Sequence, residues 1–171
     1  MRKSVSLLFV AAACVVLLGL PAAANADEMK VAKRWAVGLN ASPFFGYAPS
    51  VEYWTSENFG LSASYSWYWW WSIIGVRGTY LFNNPIHIFS MPARPYVGAG
   101  LGFISWGVNG EYAAYNSVGG EVFGGLFQPF SDQLSVRAEL EVATYGLTSQ
   151  SGSRSFSPLS IGVGIFYHFG H

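Results

Sequence analysis

Charge is what this chain has least of. Asp, Glu, Lys and Arg make up 11% of its 171 residues, against about 25% in an average soluble domain. Neither sign dominates, with nine basic and nine acidic residues. Without a basic patch to meet a phosphate backbone, no nucleic acid is expected as a partner. Cysteine occurs once, at Cys14 inside an N-terminal apolar run, so the mature chain is expected to hold neither a disulfide nor a thiol nucleophile. The three histidines, His87, His168 and His171, show no ligand spacing of the zinc kind, and neither a metal nor a cofactor is expected. After the N-terminal run no apolar stretch approaches about 20 residues, which excludes helical membrane spans.

What is present begins with a leader. Arg2 and Lys3 form a basic n-region, Val5 to Leu20 an apolar stretch, and Ala24-Asn25-Ala26 an A-x-A cleavage signal. The apolar run is nearly long enough to be retained as an anchor, but its small-residue exit and the strand-rich remainder favour removal. Residues 1–26 are therefore expected to be a cleaved secretory signal peptide, 27–33 a short periplasmic segment, and 34–171 the folded body. Without Arg2 and Lys3, seven basic residues face nine acidic ones, a formal charge of −2.

Aromatic residues reach 18%, and their placement follows a period of two. The last strand reads Ile161-Gly-Val-Gly-Ile-Phe-Tyr-His-Phe169. Side chains alternate across a strand, so Ile161, Val163, Ile165, Tyr167 and Phe169 share one face, and Gly162, Gly164, Phe166 and His168 the other. Leu134, Val136, Ala138, Leu140 and Val142 likewise oppose Ser135, Arg137, Glu139, Glu141 and Ala143. Val97, Ala99, Leu101 and Phe103 oppose Gly98, Gly100 and Gly102, whose bareness suits a narrow, crowded interior or a bent strand. Eight strands are expected, near 35–42, 50–55, 61–70, 72–82, 94–105, 117–128, 133–145 and 159–169. Most approach the 9–11 or so residues that cross a bilayer at a tilt, and the short second one is expected to extend into its flanks.

The pattern predicts an all-β fold: an eight-stranded antiparallel up-and-down transmembrane β-barrel in a bacterial outer membrane, with both termini periplasmic. Turns at 43–49, 70–72, 106–116 and 146–158 would lie outside, and those at 56–60, 83–93 and 129–132 inside. Long outside and short inside is the usual arrangement. The very short link at 70–72 and the long one at 83–93 depart from it.

Arg94-Pro-Tyr-Val-Gly-Ala-Gly-Leu-Gly-Phe103, Leu134-Ser-Val-Arg-Ala-Glu-Leu-Glu141 and the aromatic-ended final strand together resemble the small outer-membrane β-barrel family, which includes the transmembrane domain of outer-membrane protein A. The resemblance covers most of 34–169 and concerns architecture rather than activity. It implies outer-membrane lipid and lipopolysaccharide as surroundings and the barrel-assembly machinery as a partner during biogenesis; it names no specific ligand.

Two constellations stand out. Glu52, Arg77, Glu121, Arg137, Glu139 and Glu141 are expected to point into the barrel and form a lumen charge network. Unpaired ions in a low-dielectric interior cost several kcal/mol, and Arg suits a bidentate carboxylate bridge. An eight-stranded barrel is just wide enough for its own side chains, so these charges are expected to plug the lumen rather than gate it. The second constellation is aromatic. Trp67, Trp69 and Trp71 on one side, and Trp35, Tyr80, Tyr167 and Phe169 on the other, are expected to form girdles at the two membrane interfaces. Catalytic residues are not expected. Glu139 and Glu141 have a spacing that acid/base pairs can share, but strand alternation alone produces it, and the histidines lie far from the outer rim. Gly98-Ala-Gly-Leu-Gly102 and Gly119-Gly120 look like phosphate loops only superficially, since they sit within strands. The expected role is non-enzymatic, structural or surface-interacting. A narrow channel for ions or small molecules is the alternative, and a lipid A-modifying enzyme stands third.

Overall fold

The computed structural model describes residues 35–42, 46–68, 71–88, 91–108, 111–149, 152–156 and 159–169. The leader, the 27–33 segment, Trp69 and His171 lie outside the described residues.

Ten strands are formed: β1 (Trp35–Ser42), β2 (Gly46–Trp54), β3 (Phe59–Tyr68), β4 (Trp71–Leu81), β5 (Ile86–Ile88), β6 (Met91–Val108), β7 (Glu111–Pro129), β8 (Leu134–Ser149), β9 (Gly152–Phe156) and β10 (Leu159–Phe169). Eight of them build a closed antiparallel up-and-down barrel, in the order β10-β1-β2-β3-β4-β6-β7-β8. Closure comes from β10, which pairs with β1 through Trp35↔Phe169 to Ala41↔Val163 and with β8 through Leu159↔Val142 to Tyr167↔Leu134. A closed sheet leaves no unpaired edge for water or lipid to meet. The barrel end at which β1 begins and β10 finishes is here the terminal end, and the other the far end.

One of the two short strands, β5, accounts for the long connection that departs from the length pattern. Residues 83–93 are long because β5 folds back on β6, pairing Ile86↔Ala93 to Ile88↔Met91. At the far end β6 and β7 run on as a hairpin to Val108↔Glu111, and β8 continues through Ser149 to pair with β9. Sequence alternation does not reveal these arms: strands that leave the barrel wall have no single apolar environment to impose a period of two. Strand β2 starts at Gly46, in the expected flank, on a φ of 73° that suits glycine. The terminal-end turns are tight. Ser56 Oγ accepts from the Phe59 amide and Ser131 Oγ from the Leu134 amide, each at 3.0 Å, short side-chain-to-backbone bonds that favour turns.

The wall alternates as its sequence does. In β10 the even positions are buried and the odd ones largely exposed. Exposed side chains around the barrel are aliphatic and aromatic, among them Leu39, Ile74, Val76, Leu101, Val122 and Ile161. In water such a belt would be a large aggregating patch, whereas hydrocarbon suits it. Val136 and its cross-strand partner Gln128 are exceptions, buried despite an outward parity. The core lies inside the barrel as two clusters: Trp71, Ile73, Ile104, Ala143 and Tyr145 at the far end, and Trp54, Leu81, Tyr96, Phe123 and Phe127 toward the terminal end.

Candidate functional site

Between the two clusters lie the charges. Register explains how residues so far apart in sequence meet. The cross-strand partners Glu52↔Ser62, Ser62↔Arg77, Arg77↔Gly100 and Gly100↔Glu121 form one continuous row across five strands. Opposed residues on paired strands point to the same face, so Glu52, Arg77 and Glu121 all face inward. Arg137, Glu139 and Glu141 descend β8 on its inward parity. The structure thus brings all six residues of the expected network into the lumen, in two layers.

The layer nearer the terminal end is a single ion pair. Arg137 Nη1 donates to Glu52 Oε1 at 2.7 Å, and Nη2 bonds the other carboxylate oxygen. The fork is bidentate, the strong geometry for Arg and carboxylate. Trp54 Nε1 adds a third donor to Glu52 at 2.9 Å. Around the guanidinium, Phe166, Phe127, Trp54 and Tyr96 present rings with centroids 4.1, 5.4, 5.6 and 5.9 Å away. These distances are within the reach of cation–π attraction. Glu52 is 1% and Arg137 7% exposed, so this layer is sealed from solvent.

The second layer gives one arginine to three carboxylates. Arg77 donates to both oxygens of Glu121, and its Nη1 and Nη2 lie 2.9 Å from Glu139 Oε1 and Glu141 Oε2. Bare strand makes room for it. A Cβ at Gly100 would stand 2.5 Å from Glu121 Oε1 and 2.9 Å from Arg77 Cγ, and one at Gly98 would collide with the Phe123 ring. The glycines of β6 are therefore space left for side chains of neighbouring strands. Tyr96 joins the layers, its hydroxyl donating to Glu139 Oε2 at 3.0 Å.

Some participants were missed by sequence reasoning. Trp54, Tyr96, Phe123, Phe127 and Phe166 have inward parity, a visible signal, but which arginine each ring would meet depends on the barrel's stagger. His168 is another. Close to the chain end, it is nonetheless buried, with Nε2 2.7 Å from Ser135 Oγ and its amide donating to Gln133 O at 2.7 Å. Barrel closure covers it, because β10 pairs on both sides. His87 is exposed on β5.

The aromatic residues divide. Trp35, Tyr80, Tyr167 and Phe169 are exposed around the terminal end, with Trp35 against Tyr53 at 4.7 Å between ring centroids. At the other end Trp67 is exposed and stacks on Tyr65 at 6.0 Å. Trp71 requires a correction: it points inward, 8% exposed, in the far-end core. The expectation carried the outward parity of β3 through the turn. In fact position 68 pairs directly with Trp71, and Trp71 starts the inward parity of β4 that Ile73 and Leu81 continue.

Closed wall, apolar belt and charged interior together define a class: small eight-stranded barrels built to stand in a membrane. No family model and no curated protein matches the chain. Among solved structures it is similar to the N-terminal β-barrel domain of Pseudomonas aeruginosa OprF, with a TM-score of 0.55 and 20% identity over 80% of this chain and 96% of that one. It is also similar to Neisserial surface protein A, NspA, with a TM-score of 0.53 and 18% identity over 80% of this chain and 94% of that one. At these identities the likeness is one of fold, and the fold is that of the small outer-membrane barrels.

Proposed function

We propose that this is a non-enzymatic outer-membrane barrel with a structural or surface-interaction role, whose lumen is closed by its own paired charges. The observation that carries the reading is the Arg137–Glu52 pair, bidentate, buried and ringed by four aromatic side chains. A conducting path would have to part that pair and leave two ions unpaired in a low-dielectric interior. In this reading residues 1–26 are removed on secretion, 27–33 lie in the periplasm with both termini, and 34–171 form the barrel. The far-end hairpins then face outward. The exposed belt meets outer-membrane lipid and lipopolysaccharide, and the assembly machinery inserts the chain.

The test is planar-bilayer current from protein whose gel mobility shifts on boiling, so that a folded barrel is assured. A silent membrane is expected. Discrete openings that change with Glu139→Gln would promote a second reading, a narrow cation-preferring conduit, favoured by three carboxylates around one arginine in the far layer. A lipid A-modifying activity stands third. The Ser135–His168 pair has the residue types of a nucleophile and its base, yet Ser135 is 1% exposed and faces the lumen, away from lipid. No mass change in lipid A is expected on expression.

A further inference from the structure

The first and last strands of the sheet, β1 and β10, pair to close the barrel, and β2 and β8 flank them, so the closing seam lies at the middle of the order β8-β10-β1-β2. On its inner face the two strands interlock through glycine. Phe166 of β10 opposes Gly38 of β1, and Asn40 of β1 opposes Gly164 of β10. A Cβ at Gly38 would collide with the Phe166 ring, and one at Gly164 with Asn40 Oδ1. Each closing strand thus lays one side chain into space that a glycine of the other leaves open, an arrangement that pins register.

The near ion pair crosses the same seam. Arg137 stands on β8 and Glu52 on β2, with both closing strands between them, yet they bond as a fork. Arg137 is in register with Gly164, and Glu52 with Ala36. The bridge therefore passes obliquely over the Phe166–Gly38 pair, which lies between those two rows. Phe166 is 2% exposed, and its ring centroid is nearer to the guanidinium than those of the other three rings, at 4.1 Å. The ring is held from both sides, by bare strand below and by the arginine above. Parting β1 from β10 at Gly38 would carry β2 away from β8 and stretch the bridge that spans them.

We propose that Phe166 and the Arg137–Glu52 bridge form a clasp over the β1–β10 seam that holds the barrel wall closed. The inference rests on the closed lumen of the proposed function and deepens it: the pair that seals the lumen also locks the seam, and local opening starts between β1 and β10 when the clasp is cut.

Hydrogen exchange followed by mass spectrometry on the detergent-refolded barrel reads such opening strand by strand. Phe166→Leu keeps an apolar side chain and removes the ring face. Glu52→Gln keeps an acceptor oxygen and removes the charge. Each variant should still shift on boiling, and each should speed exchange of β1 and β10 amides roughly tenfold, the scale of a desolvated cation–π contact or a charged hydrogen bond, while β3 and β4 amides keep the parent rate. Phe123→Leu is the control: that ring also covers a glycine, Gly98, and also faces an arginine, Arg77 at 4.7 Å, but stands away from the seam. It should leave β1 and β10 at the parent rate. Seam amides unchanged in both variants, or accelerated only in step with β3 and β4, would overturn the clasp. So would equal acceleration of the seam by Phe123→Leu. Failure of the closed-lumen reading is separable: discrete bilayer currents from the parent protein, with seam exchange still raised in both variants, would overturn that reading and leave the lock on the seam standing.

Discussion

Tyr96 holds the two charge layers together: its hydroxyl donates to Glu139 at 3.0 Å while its ring centroid stands 5.9 Å from the Arg137 guanidinium. One side chain thus serves as a hydrogen-bond donor above and an electron-rich face below. Tyr96→Phe keeps the ring and removes the donor, leaving a buried carboxylate oxygen one bond short. Loss of a hydrogen bond to a charged group costs about 1.5–3 kcal/mol. Urea unfolding in detergent should show that loss with an unchanged m-value. A variant as stable as the parent would mean that Glu139 is already satisfied by Arg77.

The Arg137–Glu52 pair should respond differently to single and double substitution. Arg137→Met strands a carboxylate that is 1% exposed, and breaking a buried pair typically costs about 3–5 kcal/mol. Adding Glu52→Leu removes the stranded charge, so the double variant should recover most of the stability. Equal losses in single and double variants would argue that Arg137 acts through its four aromatic contacts rather than through Glu52.

Glycine positions on β6 and β7 offer an internal control. Gly100→Ala places a Cβ 2.5 Å from Glu121 Oε1, 2.8 Å from Val76 O and 2.9 Å from Arg77 Cγ. Overpacking of this kind costs about 1–3 kcal/mol. On the adjacent strand Gly120, the register partner of Leu101, faces outward, and a Cβ there meets only Gly100 O at 3.9 Å. Gly120→Ala should therefore change stability by no more than about 0.5 kcal/mol. The comparison is read from unfolding midpoints of the two refolded variants, and a reversed order would displace the inward assignment of Gly100.

The sequence made some of this legible for local reasons and concealed the rest for non-local ones. Parity along a strand is local, so the inward direction of Arg77, Arg137, Glu139 and Glu141, and the bare inner face of β6, could be read from alternation. Which carboxylate meets which arginine depends on how eight strands stagger around the barrel, and Glu52 lies 85 positions from Arg137. Trp71 failed at a hairpin, where a link of two residues restarts the parity and an aromatic run offers no polar marker. The burial of His168 is non-local as well, since it follows from β10 pairing on both sides to close the barrel. The arms β5 and β9 were hidden because strands beyond the barrel wall need no apolar face.

Trp71 and Trp67, four positions apart, should behave as opposites. Trp67 is 50% exposed and Trp71 8%, one facing the surroundings and the other packed with Ile73, Ile104 and Tyr145. With the barrel refolded into vesicles, a quencher carried on lipid acyl chains should reach Trp67 and spare Trp71. Comparing quenching in Trp67→Phe and Trp71→Phe proteins separates the two signals: the first substitution should remove a quenchable component and the second an unquenched one. Truncation extends the contrast to stability. Trp71→Ala empties a buried site and should cost about 3–5 kcal/mol. Trp67→Ala leaves no internal cavity and gives up contact with lipid, so its cost should be markedly smaller. If lipid-borne quencher reached Trp71 as readily as Trp67, the inward parity of β4 at its first residue would be wrong, and the exposed aromatic residues of the far end would regain the member that the register assigns to the core.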